Sequence, residues 1–347
     1  PDFRPPEHVM KAVAESVNNA EDYKYSLVDS EEMLNAVVDY YADRYNTVIK
    51  ADEITAVRGT QEGMAHLGMA ILNPGDVVLL PDPGYPVFEA GSYLGGAEVY
   101  YYPLLKENNF LPVIEDIPED VLNKTKYIVL SYPSNPVGAS APKEMYVRMI
   151  EYAKKYNFAI INDNAYSDII FDGREGFSFL SLPGAKDVGV EFFSLSKSYN
   201  VTGLRISFCI GNKSIIDAFK LLRSQYDFGM SYPAQKAAIA ALRGPRDSVK
   251  AQCAEYQRRR DALLNGLRKY GWNVPDSHGT MFVWLPVPEG YTSASFTEAL
   301  MDKAGVIGTP GTAFGPLGEG YIRFALTKSA EELAVIADVI GQSGVLS

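Results

Sequence analysis

The stretch EFFSLSKSYNVTGLRIS, residues 191–207, joins an apolar run to a group of residues suited to binding a charged ligand. The run leads into two hydroxyls, Ser194 and Ser196, which precede Lys197, and Arg205 follows. A strongly hydrated lysine at the end of a buried strand needs a partner. Burial disfavours its ammonium form, so its pKa falls and the amine becomes a nucleophile suited to Schiff-base formation with a carbonyl. The hydroxyls and the arginine fork are good ligands for a phosphate.

Four short apolar runs predict the fold around this stretch. They are DVVLL (76–80), YIVLS (127–131), FAIIND (158–163) and VEFFSLS (190–196). Their alternation with helical or turn-rich segments is typical of an α/β domain, with a mostly parallel central sheet flanked by helices. From about residue 246, a long helical segment, two strand-like segments and a closing helix predict a smaller α+β domain. We expect a large domain of residues 21–245 and a small domain of residues 1–20 and 246–347.

The composition is that of an enzyme-sized globular protein. The 347 residues are enough for about two domains, with 47% apolar and 22% charged residues. A net charge of −11 argues against a nucleic-acid partner. Cys209 and Cys253 form neither a disulfide framework nor a metal-binding spacing, and we expect buried thiols. The scattered His8, His66 and His278 argue against a histidine-built metal site, so no metal is predicted.

The cellular compartment is predicted from segments that the sequence lacks. No run of about 18 apolar residues predicts a membrane span. No signal peptide is recognisable, which favours a reducing cytoplasm. The sequence begins at Pro1 without methionine, and we expect a further segment to precede it.

Polar residues that could bind a ligand follow several of the predicted strands. Gly59 and Thr60 begin a helix, where free backbone N–H groups attract anions. Tyr85 lies in a Pro/Gly turn, and Asn135 precedes a proline. Taken singly, Gly59–Thr60 and Asn135 are better explained by a capped helix and a turn asparagine, and Tyr85 is as well explained by a turn aromatic. Asp163 follows the apolar run FAII directly, so its carboxylate needs a cationic or protonated partner.

Together these residues match one cofactor. A phosphorylated aldehyde with a ring nitrogen that prefers an acidic partner is pyridoxal 5′-phosphate. In open parallel sheets, ligand-binding groups gather at the carboxyl ends of the strands, where most of these residues fall. The sequence therefore predicts a pyridoxal-phosphate site.

Three motifs carry a resemblance to a known family. SNPVGA (134–139), DNAYSD (163–168) and SLSKSYNVTGLR (194–205) resemble signatures of the fold type I, class I/II aminotransferases. Two longer stretches, residues 59–88 and 183–203, are similar to bacterial LL-diaminopimelate aminotransferases. The resemblance extends from about residue 1 to residue 335. It implies a fold type I homodimer that moves an amino group between an L-amino acid and a 2-oxo acid.

The resemblance also implies a role for each site residue. The catalytic residues would be Lys197, which binds the aldehyde, Asp163, which pairs with the pyridine nitrogen, and Tyr166. Asn135 and Tyr166 would hydrogen-bond the ring oxygen, and Tyr85 would stack on the ring. The phosphate would be held by Thr60, Ser194, Ser196, Arg205 and the amides near Gly59, with Gln61 adjoining, and by Tyr25 from the other subunit. Arg323, in GYIRFALT, would bind the substrate α-carboxylate next to Asn135.

The sequence departs from the family pattern at several positions. Ser30 and Asn35 replace a usual glycine and arginine, and Leu204 and Ser207 replace a usual tryptophan and glycine. Gln61 replaces the lysine common in diaminopimelate enzymes. We expect Gln61 and Val28 to lie near the pocket for the substrate side chain. These changes leave the amino donor undetermined.

Three functions compete at this point. The first is a transaminase. The second is a β-eliminating C–S lyase of the cystathionine-lyase type, which uses the same fold and the same lysine. The third is a regulatory domain that senses pyridoxal phosphate or an amino acid. Such regulators usually carry a DNA-binding segment, and the sequence shows no basic helix-turn-helix. For Arg323, a structural ion pair remains the alternative to a substrate-binding role.

Overall fold

The structure is a computed structural model that describes residues 2–346. The helices are α1 (Glu7–Val17), α2 (Glu31–Tyr45), α3 (Thr60–Ile71), α4 (Phe88–Gly95), α5 (Glu119–Leu122), α6 (Lys143–Tyr156), α7 (Ala185–Val188), α8 (Leu195–Ser198), α9 (Lys213–Tyr226), α10 (Tyr232–Arg243), α11 (Asp247–Lys269), α12 (Ser293–Ala304) and α13 (Ala330–Gln342). The strands are β1 (Ile54–Val57), β2 (Val77–Asp82), β3 (Glu98–Pro103), β4 (Thr125–Ser131), β5 (Ala159–Asn164), β6 (Gly189–Ser194), β7 (Ser207–Gly211), β8 (Phe282–Pro286), β9 (Thr309–Pro310) and β10 (Tyr321–Ala325).

The larger sheet has seven strands in the order β1-β7-β6-β5-β4-β2-β3. The five strands from β6 to β3 are parallel, and β7 is antiparallel to both of its neighbours. Every residue of β2 and β6 is buried, because helices cover both faces of the sheet and leave no solvated side. The four predicted apolar runs form the neighbouring strands β2, β4, β5 and β6. The predicted mostly parallel sheet flanked by helices is thereby confirmed.

The smaller sheet is antiparallel, in the order β8-β10-β9. It shares a separate apolar core with α11, α12 and α13, to which Leu263, Phe296 and Ile340 belong. The smaller α+β unit expected after residue 246 is therefore present beside the large sheet.

The first residues of the chain contact both units. Asp2 accepts a hydrogen bond of 2.9 Å from Nη1 of Arg259 on α11, and the Phe3 ring meets the Tyr256 ring edge-on at 5.1 Å. Helix α1 instead packs on α10, and its Val9 belongs to the core of the large sheet. The predicted placement of residues 1–20 in the small domain does not match this packing, because the apolar face of α1 covers α10. We propose that α1 belongs to the large domain, and the division at residue 246 stays a prediction.

None of the helices within residues 2–346 has the combined length and hydrophobicity needed to cross a lipid bilayer.

Candidate active site

A cavity of 290 Å³ lies at the carboxyl ends of β4, β5 and β6 and reaches β8 and β10 of the small sheet. Eleven residues singled out from the sequence line it: Thr60, Gln61, Tyr85, Asn135, Asp163, Tyr166, Ser194, Ser196, Lys197, Arg205 and Arg323. The chain thus brings together residues that span more than 260 positions of sequence. Val87, Ser131, Ala165, Thr202 and Phe282 complete the lining. Ser131 could have been found from the sequence, since it ends the apolar run YIVLS. Ala165 and Thr202 lie within the quoted motifs but were not singled out, and Val87 and Phe282 carry no local signal.

One end of the cavity is suited to an anion. Helix α3 begins at Thr60 with no side chain capping its N-terminus, which leaves backbone N–H groups free. Gly59 precedes it with φ of 90°, and a Cβ there would lie 2.0 Å from Nη2 of Arg205. The positive φ and the lack of room for a Cβ both require glycine at this position. The absence of a side chain lets the Arg205 guanidinium lie directly against the start of the helix. Arg205 donates to the Thr202 carbonyl at 3.0 Å and has no carboxylate partner among residues 2–346. Its charge is therefore available to a ligand.

Asp163 lies at the end of β5, between Ser131 of β4 and Phe192 of β6. The carboxyl is buried, and its Oδ1 has no hydrogen-bond partner within the described part of the chain. Burial raises the pKa of Asp163 to about 7, against the opposing effects of the Ala165 amide and the Lys197 charge. An unpartnered buried carboxyl favours a ligand with a protonated nitrogen.

Lys197 lies in the short helix α8, one turn after β6 ends. Burial lowers the pKa of Lys197, the nearby Arg205 charge lowers it further, and Asp163 opposes both. A lowered pKa favours the neutral amine, which is the nucleophilic form. Nε2 of Gln252, on α11, donates to the Lys197 carbonyl at 2.7 Å and ties α8 to the long helix. Sequence reasoning missed Gln252, because nothing in its helical context marks it.

Tyr85, Tyr166 and Phe282 provide the aromatic part of the lining. Tyr166 is buried, and burial followed by the Asp163 charge raises the pKa of its phenol well above the usual value. The phenol therefore stays protonated and can donate a hydrogen bond into the cavity. The Tyr166 ring packs edge-on against Phe282 at 6.4 Å.

Arg323 projects from β10 of the small sheet, and its Nη1 donates to Oδ1 of Asn135 at 2.8 Å. The guanidinium lies over the rings of Phe282, at 4.0 Å, and Phe314, at 4.5 Å. No ion pair between Arg323 and an acid exists within residues 2–346, and its Nε is buried without a partner. Burial lowers the pKa of the guanidinium. The alternative of a structural ion pair is therefore wrong, and the cation is free to bind a carboxylate.

Two predicted residues lie away from the cavity of their own chain. Tyr25 is 81% exposed, and its ring packs edge-on against Phe228 at 6.0 Å. Val28 is 76% exposed and lines a different cavity, together with Leu34 and Arg223. Val28 does not line the cavity that holds Lys197 in its own chain, so its expected place near the substrate side chain stays a prediction.

The cysteines and histidines play no part in this site. Cys209 is a buried free thiol, as expected, whereas Cys253 is only partly buried. Within the described residues, no three histidine, cysteine or acidic side chains gather in a way that could hold a metal ion.

The residues present fit pyridoxal phosphate. The unpartnered Oδ1 of Asp163 suits a protonated pyridine nitrogen, and Lys197 suits the aldehyde. The Gly59–Arg205 contact at the start of α3 suits the phosphate. The free Arg323 cation adds a place for the carboxylate of an amino acid.

The comparisons with known proteins agree with this chemistry. Residues 1–340 match the family described as aminotransferase class I and II. An LL-diaminopimelate aminotransferase of Dehalococcoides mccartyi is 45% identical over 335 residues, which are 96% of this chain and 86% of that protein. The LL-diaminopimelate aminotransferase of Moorella thermoacetica is 42% identical over 96% of this chain and 86% of its own length. That of Aquifex aeolicus is 41% identical over 98% of this chain and 88% of its own length.

Solved structures show the same fold. BacF from Bacillus subtilis, with substrate bound, superposes with a TM-score of 0.95 at 34% identity and covers 99% of this chain and 88% of its own. An aminotransferase from Staphylococcus aureus also gives 0.95, at 33% identity, over 100% of this chain and 93% of its own. None of these names favours the lyase that the sequence had left open.

Proposed function

Since the chain belongs to the class I and II aminotransferase family, and is a pyridoxal-phosphate-dependent transaminase, we propose that its amino donor is LL-diaminopimelate or a closely related L-amino acid. The relatives at 41–45% identity that carry this activity in their names support the donor. The acceptor in the second half of the reaction is a 2-oxo acid, for which we propose 2-oxoglutarate. The observation that carries an amino acid as donor is the unpaired Arg323 cation, suited to an α-carboxylate, in the cavity that holds Lys197 and Asp163.

Pyridoxal phosphate, when bound, supplies an electron sink for the negative charge that develops on the substrate Cα. In our proposal the Asp163 carboxylate would hold the proton on the pyridine nitrogen. The positive charge of that protonated nitrogen would lower the raised pKa of Asp163 toward its usual value. Lys197 would hold the cofactor through its amine. The same amine would carry the proton that leaves the substrate Cα, as base and then as acid.

The remaining lining residues would hold and orient the cofactor. Thr60, Ser194, Ser196, Arg205 and the amides at Gly59 bind the phosphate, with Gln61 beside them. Tyr166 and Asn135 would donate hydrogen bonds to the ring oxygen, and Tyr85 would cover the ring. Tyr166, Lys197 and Asp163 are therefore the residues that we assign to catalysis.

Arg323 binds the α-carboxylate of every substrate. A planar guanidinium forms two parallel hydrogen bonds with a carboxylate and so fixes its angle. This contact would fix the orientation of the substrate Cα–H bond, which is a positioning effect. Asn135 supports it through the 2.8 Å bond to Arg323.

We further propose that the protein is a homodimer. Tyr25, Leu27, Val28, Tyr226 and Phe228 are each at least 48% exposed, and the first and last of them are in contact. A surface group of large apolar side chains of this kind favours an interface with another protein. A second copy would place Tyr25 on the neighbouring phosphate site. We place the enzyme in the cytoplasm, where the free thiols Cys209 and Cys253 would stay reduced.

A panel of amino donors tests the proposed substrate. The purified enzyme loaded with pyridoxal phosphate is mixed with single L-amino acids, and the absorbance change of the bound cofactor is followed in a stopped-flow instrument. LL-diaminopimelate should react faster than aromatic, aliphatic and dicarboxylic donors, and 2-oxoglutarate should reverse the change. A faster reaction with another class of donor would contradict this substrate. Release of ammonia and a 2-oxo acid from cystathionine, without 2-oxoglutarate, would instead indicate elimination.

A further inference from the structure

Ser207 lies behind the proposed phosphate site. It is the first residue of β7, paired with Ser194 of β6 on one side and Val57 of β1 on the other. The residue is completely buried and is not part of the cavity lining. Its Oγ lies 2.9 Å from Oγ of Ser194 and 3.4 Å from Oγ1 of Thr60. One hydroxyl therefore contacts two of the side chains that we assign to the phosphate.

The hydrogen bonds of Ser194 determine what its hydroxyl can still do. The Ser194 oxygen accepts a bond of 3.2 Å from the Ser196 amide and one of 2.9 Å from the Ser207 hydroxyl. A serine oxygen has two acceptor positions and one proton. Both acceptor positions are occupied, so Ser194 can meet a cavity ligand only as a donor. A hydroxyl that already accepts hydrogen bonds is also a stronger donor.

The contact with Thr60 is weaker. At 3.4 Å it is longer than a well-formed bond between two hydroxyls, so Thr60 can turn its proton toward an anion. The proton of Ser207 is committed to the shorter bond with Ser194. The contacts of Ser207 with Ser194 and with Thr60 leave both of these side chains able to donate. They therefore favour a ligand that accepts hydrogen bonds from Ser194 and Thr60.

We infer that Ser207 is a positioning residue for the phosphate of the cofactor, acting through Ser194 and Thr60 without touching the ligand. This inference rests on the proposed roles of those two residues. Loss of the Ser207 hydroxyl frees an acceptor position on Ser194, which lets its proton turn away from the phosphate. The affinity for the phosphate group should fall, while contacts with the ring and the aldehyde should not change.

The test compares two ligands that differ only in the phosphate. Cofactor-free protein is titrated with pyridoxal phosphate and with pyridoxal, and the absorbance of the covalent adduct on Lys197 reports binding. Ser207→Ala should weaken pyridoxal phosphate by about fivefold, the size expected for one neutral hydrogen bond, and pyridoxal by less than twofold. Ser207→Gly, which also lacks the hydroxyl, should behave in the same way.

Cys209→Ala is the matched control. Cys209 is on the same strand, two residues further from the site, and is fully buried on the same side. Its truncation disturbs the packing of β7 without removing a hydrogen bond to Ser194, so both ligands should bind as in the parent protein.

Each outcome separates this inference from the proposed function. Equal weakening of pyridoxal phosphate and pyridoxal in both Ser207 variants would show a general structural defect and overturn the inference. Unchanged affinity for both ligands would overturn it too, while the proposed function would stand because the parent still binds the cofactor. A parent protein that forms no adduct with pyridoxal phosphate would refute the proposed site, and the role of Ser207 with it.

Discussion

Nη1 of Arg323, on the small sheet, donates a hydrogen bond of 2.8 Å to Oδ1 of Asn135, which follows β4 of the large sheet. Both residues line the cavity, so the bond connects its two sides at this point. Because the amide oxygen is engaged by the cation, the NH₂ group of Asn135 remains as its donor to a ligand. One residue pair thus connects the proposed carboxylate site with the proposed ring-oxygen site.

The first prediction is that the cofactor is attached to Lys197. Reduction of the loaded enzyme with borohydride, followed by peptide mapping, should place the phosphopyridoxyl label on this residue. Lys220 is a natural internal control, because burial also lowers its pKa but it lines a different cavity. A label on Lys220, or on any lysine other than Lys197, would show that a low pKa alone selects the site and would refute the assignment.

The second prediction concerns Asp163→Asn. The change keeps the side-chain volume but removes the charge that holds the proton on the pyridine nitrogen. We expect the variant to bind the cofactor and to lose most of its activity, by roughly two orders of magnitude or more, because the electron sink is weakened. Asp29 is a half-buried aspartate with a raised pKa that lines a different cavity, so Asp29→Asn should leave the spectrum of the bound cofactor unchanged. Near-normal turnover of the Asp163 variant would show that this residue is misassigned.

The third prediction is a pH dependence of the cofactor-free protein. Burial raises the pKa of Asp163 from 3.8 to about 7, so between these values the folded state binds more protons than the unfolded state. The contribution of Asp163 to the free energy of unfolding is therefore present below about pH 4 and is lost as the pH rises through 7. The loss is at most about 4 kcal/mol.

Urea unfolding of the parent protein and of Asp163→Asn, each at pH 5 and pH 8, measures this contribution as the difference between the two. The parent should lose more stability than Asp163→Asn over this interval, since the variant has no carboxyl at that position. Addition of pyridoxal phosphate should remove the difference in the parent by supplying a cationic partner. Identical pH profiles for parent and variant would mean that Asp163 is not the source.

The fourth prediction is that cofactor retention depends on assembly. Sedimentation should show a dimer, and dilution below its dissociation constant should release pyridoxal phosphate. Tyr25→Phe should weaken cofactor binding without changing the sedimentation coefficient, because only the hydroxyl is lost. Tyr23→Phe is the matched control, since Tyr23 is 75% exposed and its hydroxyl donates to the Val17 carbonyl. A monomer that holds the cofactor tightly would contradict the dimer.

Some features of the fold and site follow from local sequence. The apolar runs predicted the parallel strands because strands buried on both faces must be apolar throughout. Asp163 and Lys197 were recognisable because a charged residue directly after such a run is unusual. These signals need no knowledge of distant contacts.

Other features depend on contacts between distant segments. The interaction partner of Arg323 could not be inferred from the alternating pattern of β10, because an ion pair and a ligand site leave the same pattern. Helix α1 carries an apolar face, but its packing on α10 depends on where the folded chain places these two helices. Gln252 reaches the Lys197 carbonyl from a helix 55 residues away in sequence.

The last prediction is that Arg323→Lys keeps the cofactor but loses catalytic efficiency. Lysine preserves the charge, but it forms only one directed hydrogen bond where the guanidinium forms two at a fixed angle. We expect a loss of about 2–4 kcal/mol in kcat/KM, the range for a buried charge-assisted contact. The loss should be similar for the amino acid and the 2-oxo acid, since both present the same carboxylate, and nearly independent of the donor side chain.

Arg260→Lys is the matched control for this prediction. It changes another buried arginine, one paired with Asp172 outside the cavity, and should spare kcat/KM. Gln61→Ala, in the cavity, should instead change the order of preferred donors. Steady-state kinetics on two donors and two acceptors decide between these roles. A large loss with one donor and none with another would make Arg323 a selector of side chains and would place the carboxylate site elsewhere.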